Sequence, residues 1–295
     1  MCLNPIYLKE QNMFVNCRKC AECKMARAKE WSVRLYSELK TNPEACFISL
    51  SYKDSPRSLV KADLQNFIKR LRKDYQLKYF ACGEYGDKYL RPHFHAILYG
   101  VNFKDKKLFS KSAKGKDIWI SDTLAKYWPY GIHSIQECTF ATMIYTALYA
   151  QKDKKLLPDG LLPEFNLFSK GLGNDYLMEK LDTFLETDQV YIDGHSYKIP
   201  ESVLKKCFVS YDDKGRIISK DQKLVELKEA RKEKQENYFP SQTALINKMA
   251  DCYGDDSIPG WRLIEEEKEY RAMREANLRR AEKIQKIKNL TKSKI

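Results

Sequence analysis

The chain is organised around one ten-residue stretch, Arg91-Pro92-His93-Phe94-His95-Ala96-Ile97-Leu98-Tyr99-Gly100. Its apolar and aromatic residues, closed by a glycine, predict a β-strand. Successive side chains of a strand point to opposite faces, so His93 and His95 share one face while Phe94 is buried on the other. Two imidazoles that converge on one point suit a divalent metal ion. The alternative is a half-buried strand whose histidines only hydrogen-bond to neighbouring groups.

A second strand is predicted just upstream, over residues 78–85, and Gly86-Asp87 separates it from the histidine strand. The two strands are close enough in sequence to pair as a hairpin, which would bring Glu84 beside the histidines. Two imidazoles and one carboxylate leave coordination positions open for water and substrate oxygens, which favours Mg²⁺ or Mn²⁺ acting as a Lewis acid. Asp87 is the rival third ligand, and Glu84 is alternatively a surface acid beside a turn.

A helix is predicted to begin near Thr139 and to carry two tyrosines and a lysine. Side chains at i, i+4 and i+7 lie on one helix face, so Tyr145, Tyr149 and Lys152 form one stripe. Such an aromatic stripe usually packs into a core. A phenol, with its pKa of about 10, is a poor nucleophile at neutral pH unless its phenolate is stabilised. A neighbouring ammonium or metal ion supplies that stabilisation, so the stripe also fits a tyrosine that attacks a phosphodiester.

Four cysteines crowd the start of the chain, at positions Cys2, Cys17, Cys20 and Cys23. Four thiolates are the number that a tetrahedral structural zinc ion takes, so this segment is a candidate zinc site. Ordinary reduced thiols and an iron–sulfur cluster are the alternatives. A basic helix is predicted from Lys24 onward and ends at Asn42-Pro43, because the residue before a proline disfavours the helical conformation.

The composition restricts the class of protein. Lys and Arg number 53 against 40 Asp and Glu, and the net charge of +13 favours a polyanionic partner. The 9 cysteines are an odd number, and the later ones are isolated, which favours a reducing compartment. We find neither a signal peptide pattern at the start nor a run of about 18 apolar residues. The sequence therefore predicts a soluble cytoplasmic protein without membrane contact.

The order of predicted elements from residue 45 to residue 152 is strand, helix, strand, strand, helix, strand, helix. Hairpin-linked strands interleaved with helices predict an α+β fold, in which an antiparallel sheet is flanked by helices. Three segments follow from the change in pattern along the chain: a cysteine knuckle with its basic helix (1–43), a sheet domain (44–185), and a small hairpin with a charged helical region (186–295). The last segment includes helices predicted at about 220–236 and 261–294.

With these residues assembled, the sequence resembles the HUH endonucleases. His93-Phe94-His95 is similar to their His-hydrophobic-His motif. Tyr145 and Tyr149 resemble the paired nucleophiles of the two-tyrosine branch, and Lys152 matches the lysine that often follows. The resemblance is greatest to the replication initiators of gokushovirus-type microviruses, which are small single-stranded DNA phages. It covers roughly residues 1–185 and also rests on the cysteine knuckle followed by Trp31-x-x-Arg34, on Gly83–Gly86, and on Phe165–Gly173.

The resemblance implies a sheet of about five strands in an RNA-recognition-like layout. It implies an initiator of rolling-circle replication that nicks one DNA strand at the viral origin, forms a 5′-phosphotyrosine link and later rejoins the strand. The implied partners are single-stranded and origin DNA with the helicase and polymerase of the host, in the host bacterial cytoplasm. The alternatives are a plasmid relaxase or transposase of the HUH type and, from another class, a non-catalytic zinc-dependent DNA-binding protein.

Overall fold

The structure is a computed structural model, and it describes residues 2, 6–8, 13–86, 89–112, 115–149 and 157–238. The chain divides into two compact units. The larger unit spans residues 24–203, and the smaller unit combines the described residues up to Cys23 with those from Leu204 onward.

The larger unit is built on a seven-stranded sheet in which every pair of neighbouring strands is antiparallel. Its strands are β3 (Ala45–Ser51), β4 (Lys78–Tyr85), β5 (Pro92–Tyr99), β6 (Lys107–Lys111), β7 (Asp117–Ile120), β8 (His133–Glu137) and β9 (Phe165–Phe168). Their spatial order is β6-β7-β8-β3-β5-β4-β9, so the histidine strand β5 lies inside the sheet with β3 and β4 as its neighbours.

Helices cover both faces of this sheet. The helices of the larger unit are α1 (Ala21–Thr41), α2 (Lys61–Asp74), α3 (Asp122–Tyr127), α4 (Phe140–Tyr149), α5 (Asn174–Glu179) and α6 (Leu181–Thr187). On one face, Phe67 of α2 and Leu124 of α3 pack into a core with Phe94 and Leu98 of β5. The opposite face of β5 belongs to a second core, in which residues of α1 and α4 pack against the strand.

Three two-stranded antiparallel sheets and two further helices complete the described chain. The hairpin of β10 (Gln189–Ile192) and β11 (His195–Lys198) turns at Asp193-Gly194, where both residues have positive φ, as a two-residue hairpin turn requires. The remaining elements are β1 (Ile6–Leu8), β2 (Met13–Val15), α7 (Glu201–Phe208), β12 (Val209–Tyr211), β13 (Ile217–Lys220) and α8 (Gln222–Tyr238). None of the helices in the described part of the chain has the long apolar run that crossing a bilayer requires.

The predicted α+β class with an antiparallel sheet and flanking helices is confirmed. The sheet has seven strands, more than the roughly five that the RNA-recognition layout implies. The sequence patterns predicted no strand for β6, β7 or β9. All five residues of β6 are exposed, so this edge strand lacks the apolar alternation by which strands are recognised. The helix predicted at 261–294 lies outside the described residues, and the division at residues 43 and 185 stays a prediction.

Candidate functional site

Glu84, His93 and His95 converge on one point, because the register of the sheet places them on one face. In the pairing of β4 with β5, Glu84 lies opposite His93, and Cys82 lies opposite His95. Oε1 of Glu84 is 3.0 Å from Nε2 of His93 and 3.0 Å from Nε2 of His95. The carboxylate that the hairpin was predicted to bring to the histidines is therefore in contact with both of them.

The outer nitrogen of each imidazole is held by a hydrogen bond. Nδ1 of His95 lies 2.8 Å from Oγ of Ser49, and Nδ1 of His93 lies 3.1 Å from the carbonyl oxygen of Arg91. A carbonyl only accepts, so Nδ1 of His93 carries the proton and Nε2 of the neutral ring presents a lone pair to Glu84. Two acceptors 3.0 Å apart repel each other. A proton or a metal ion that lies between the two acceptors removes this repulsion.

This donor set fits a divalent metal ion. Two imidazole nitrogens and a carboxylate oxygen lie within 4.8 Å of one another, and two of the three residues are buried. The Glu84 side chain is 2% exposed, whereas the His93 side chain is 26% exposed. The site is thus closed on the side of Glu84 and open to solvent at His93, as a metal site that admits a substrate must be.

Aromatic rings surround the buried histidine. Phe47 of β3 stacks on the His95 ring with centroids 5.6 Å apart. Tyr145 of α4 approaches the same imidazole edge-on at a centroid distance of 5.6 Å, and it meets Phe47 at 6.2 Å. Tyr145 is partly buried against the core that α1 and α4 share. The first of the two predicted tyrosines is therefore placed beside the candidate metal ligands.

The other predicted site residues are only partly described. Tyr149 is the last residue of α4, one helical turn after Tyr145, and its side chain is not among those described. Lys152 and Asp87 lie outside the described residues. The i, i+4 spacing of the two tyrosines on one helix is thus present in the backbone.

The four N-terminal cysteines form a second cluster. The sulfur atoms of Cys2, Cys17, Cys20 and Cys23 lie within 4.8 Å of one another. The backbone N–H of Cys17 donates to the Cys2 sulfur at 3.2 Å, and that of Cys20 donates to the Cys17 sulfur at 3.3 Å. Such N–H donors favour thiolates, which are the form that binds metal.

The cysteines differ in their ease of ionisation. Desolvation raises the pKa of Cys17, but backbone N–H donors from Cys20 and Lys19 outweigh it and lower the pKa to about 6. Desolvation and the sulfur atoms of Cys20 and Cys2 raise the pKa of Cys23. Neighbouring thiols resist ionisation together, because the negative charges of adjacent thiolates repel each other. A bound cation offsets this repulsion, so the thiols that coordinate it are deprotonated. The cluster therefore fits a metal ion that prefers sulfur ligands, such as zinc.

Sequence reasoning missed three groups at the histidine site: the Ser49 hydroxyl, the Arg91 carbonyl and the Phe47 ring. Ser49 is 46 positions from His95, and their contact depends on the pairing of β3 with β5. The available signal was the alternation in β3, which puts Phe47 and Ser49 on the same face. That alternation gave no indication of which strand would be the neighbour.

Comparison with known proteins relates the chain to replication-associated proteins. The sequence model of a family of replication-associated proteins, the ORF2 family, matches residues 45–154. The chain is 34% identical over 223 residues to the replication-associated protein ORF2 of Spiroplasma virus 4, a match that covers 66% of this chain and 69% of that protein. The chain belongs to the ORF2 family of replication-associated proteins. The segment that the family model matches includes Glu84, both histidines, both tyrosines of α4 and Lys152.

Other phage replication-associated proteins match over a smaller share of their length. The replication-associated protein ORF4 of Chlamydia phage 1 is 30% identical over 212 residues, which are 65% of this chain and 53% of that protein. The replication-associated protein VP4 of Bdellovibrio phage phiMH2K is 30% identical over 149 residues, which are 46% of this chain and 47% of that protein. No solved structure matches the chain.

Proposed function

We propose that this protein initiates rolling-circle replication of a small phage genome by nicking one DNA strand at the viral origin through a tyrosine nucleophile. Membership of a family of replication-associated proteins supports a role in replication. The observation that carries the proposal is the position of Tyr145, whose ring contacts His95 beside Glu84 and His93. A phenol next to a two-histidine, one-carboxylate site is the arrangement that the HUH endonucleases use.

The proposed reaction is a transesterification. The phenolic oxygen of Tyr145 forms a bond to phosphorus, the bond from phosphorus to the 3′ oxygen breaks, and that oxygen takes up a proton as the phenol loses one. The protein is left on the 5′ phosphate, and a 3′ hydroxyl is released for the host polymerase to extend. Reversal by a 3′ hydroxyl rejoins the strand. No bond energy is lost to hydrolysis, so rejoining needs no external energy source.

Glu84, His93 and His95 would hold a divalent ion, Mg²⁺ or Mn²⁺, which supplies charge neutralisation at the scissile phosphate. Ser49 and the Arg91 carbonyl keep both Nε2 atoms directed at that ion. Lys152, from its place in the sequence, would stabilise the phenolate. Tyr149 would provide a second nucleophile, so that one strand can be cleaved while the other tyrosine remains linked to DNA.

The test is the formation of a covalent adduct. We expect protein incubated with single-stranded origin DNA and Mn²⁺ to give a species of reduced mobility on a denaturing gel. The Tyr145→Phe/Tyr149→Phe double variant should give none, and the single variants assign the first nucleophile. Tyr191→Phe is the matched control, because Tyr191 is an exposed tyrosine on β10. An adduct that persists in the double variant would refute the tyrosine assignment.

The same experiment distinguishes the proposed function from two alternatives. A plasmid relaxase or transposase of the HUH type would share the adduct but not the origin, and the phage relatives favour the initiator. A non-catalytic zinc-dependent DNA-binding protein would bind the oligonucleotide and form no adduct at any metal concentration. Unchanged Mn²⁺ affinity in a His93→Ala/His95→Ala variant would separately refute the ligand assignment.

A further inference from the structure

A surface pocket of about 410 Å³ lies at the end of the sheet where the histidine strand begins. It is lined by the loop that follows β3, by the residues that lead into β5 and by the segment that precedes β9. Arg91 and Pro92 belong to its wall, and the Arg91 carbonyl is the group that holds His93. Pro92 and His93 are consecutive in β5, so the pocket and the candidate metal site lie at the same end of this strand, although their side chains alternate to opposite faces of the sheet.

The walls of this pocket combine apolar surface with guanidinium groups. Pro56, Pro92 and Leu161 supply flat or apolar surface, and Arg57 and Arg91 supply the charge. Tyr89 is also part of the lining, and 72% of its surface is exposed.

Residues 89–91 form the rim of the pocket, and its geometry includes two hydrogen bonds and one unusual backbone angle. Arg91 donates to the Tyr52 carbonyl at 3.1 Å, which fixes its side chain. The Leu90 N–H donates to the Gly86 carbonyl, although Leu90 has a φ of 49°. A branched residue in the left-handed region is strained, and such strain persists where the surroundings impose it, often at binding sites. These contacts hold Leu90 and Arg91, the two residues that follow Tyr89.

This combination of groups matches a nucleotide. An aromatic face stacks on any base, and an arginine fork pairs with a phosphate. A volume of about 410 Å³ falls within the range of small-ligand sites. A purely apolar ligand would make no use of the two guanidinium groups, and an inorganic anion would leave the apolar walls uncovered. A nucleotide meets both requirements, because its phosphate pairs with a guanidinium group and its base covers the apolar walls.

We propose that this pocket binds one nucleotide of the DNA strand next to the scissile phosphate, with the base stacked on Tyr89 and its phosphate paired with Arg57. This inference rests on the proposed nicking function and adds to it a nucleotide subsite. The pocket anchors the strand at the end of the sheet where β5 begins, so that the strand continues around this end toward Glu84, His93 and His95.

The experiment measures binding without added divalent metal ion, by fluorescence anisotropy of a labelled single-stranded DNA of mixed sequence. An abasic strand of equal length is the second probe. Tyr89→Ala should weaken binding of the mixed-sequence strand by about 5-fold or more, since stacking of one base contributes about 1–3 kcal/mol. It should leave the abasic strand bound as in wild type. Tyr89→Phe, which keeps the ring, should bind both probes like wild type.

Arg57 is tested through salt dependence. Arg57→Gln should weaken binding of both strands and reduce the slope of log affinity against log salt by about 0.7, the value for one phosphate contact on single strands. Arg72→Gln is the matched control, because Arg72 is an exposed arginine at the far end of α2. Tyr191→Ala serves the same purpose for Tyr89, since Tyr191 is 59% exposed.

The outcomes separate the two proposals. If wild type forms the tyrosine adduct while Tyr89→Ala and Arg57→Gln bind both probes like wild type, the pocket proposal is overturned and the nicking proposal stands. If wild type forms no adduct but Tyr89→Ala loses affinity for the mixed-sequence strand alone, the nicking proposal fails and the pocket is a single-strand binding site. Equal loss on both probes in Tyr89→Ala would also overturn base stacking at this pocket.

Discussion

The Ser49 hydroxyl group helps to orient His95, and we expect it to control metal affinity. Ser49 Oγ lies 2.8 Å from Nδ1 of His95, the nitrogen that faces away from Glu84. Without this partner, the His95 ring loses the contact that holds its Nε2 toward Glu84. Ser49→Ala should therefore weaken Mn²⁺ binding by about 10- to 100-fold, as is typical when the partner of a ligating histidine is removed. Isothermal titration of Mn²⁺ into the protein measures the effect.

Ser134→Ala is the control for this substitution. Ser134 pairs with Ser49 across β3 and β8, so it lies on the same face of the sheet one strand farther from His95. Loss of a serine hydroxyl at this position should leave Mn²⁺ affinity at the wild-type value. Equal affinities of Ser49→Ala and wild type would show that the hydroxyl does not orient the His95 imidazole for metal binding.

The ligand residues were predictable from sequence to the extent that their positions depend on local pairing. Alternation along one strand put His93 and His95 on one face, and a short connection placed Glu84 opposite them. Ser49 and Phe47 were not predictable in the same way. Their strand reaches the site through a pairing between segments about 45 positions apart, and a sequence pattern does not encode which strands become neighbours.

At the scale of elements, the loop before α5 is locked onto α1 through Gly173. Its N–H donates to Oε2 of the fully buried Glu38 at 2.7 Å, and Lys78 Nζ lies 3.1 Å from the same carboxylate. A Cβ at Gly173 would lie 2.1 Å from the Arg34 carbonyl oxygen, and its φ is +74°. Gly173→Ala should lower the free energy of unfolding for two reasons. The left-handed conformation of an alanine costs about 1–2 kcal/mol, and overpacking against Arg34 costs about 1–3 kcal/mol.

Gly171→Ala isolates the conformational part of that loss. Gly171 has nearly the same φ, +70°, but a Cβ there would meet only Asn174 Nδ2 at 3.8 Å. The free energy of unfolding of the Gly171→Ala variant should therefore fall by about 1–2 kcal/mol, which is less than the total loss expected for Gly173→Ala. Urea unfolding of the full chain, followed by circular dichroism, compares the two variants. Equal losses would mean that the Arg34 carbonyl moves aside freely and that the loop is not locked.

The elements themselves were predictable where burial imposes a pattern. The buried residues of α2 recur at helical spacing as Leu64, Phe67, Ile68 and Leu71, which is the periodicity that identifies a helix on a core. Edge strand β6 is fully exposed, so its sequence carries no apolar alternation. Edge strand β9 does alternate, with Phe165 and Leu167 partly buried, but it has only four residues. The segment from residue 174 to residue 187 forms two helices, α5 and α6, because Lys180 interrupts the helical conformation with a ψ of 13°.

At the scale of the whole molecule, the protein has two candidate metal sites of different chemistry. Four thiolates are soft ligands that suit zinc, whereas a carboxylate and two imidazoles with open positions suit a divalent ion that exchanges with solvent. The sequence predicted both clusters from residue type and spacing, since metal ligands are few and must come together. It did not predict how the thiols would differ in pKa, because that depends on backbone N–H donors.

We expect purified protein to retain about one zinc ion per chain after dialysis against metal-free buffer. Adduct formation should still require added Mn²⁺ or Mg²⁺, because the histidine site exchanges its ion. Elemental analysis measures the first quantity and the denaturing gel the second. Cys20→Ser should lose the zinc, and Cys207→Ser should keep it, since Cys207 is a half-buried cysteine outside the cluster. Iron in place of zinc, or equal zinc in both variants, would contradict a four-cysteine zinc site.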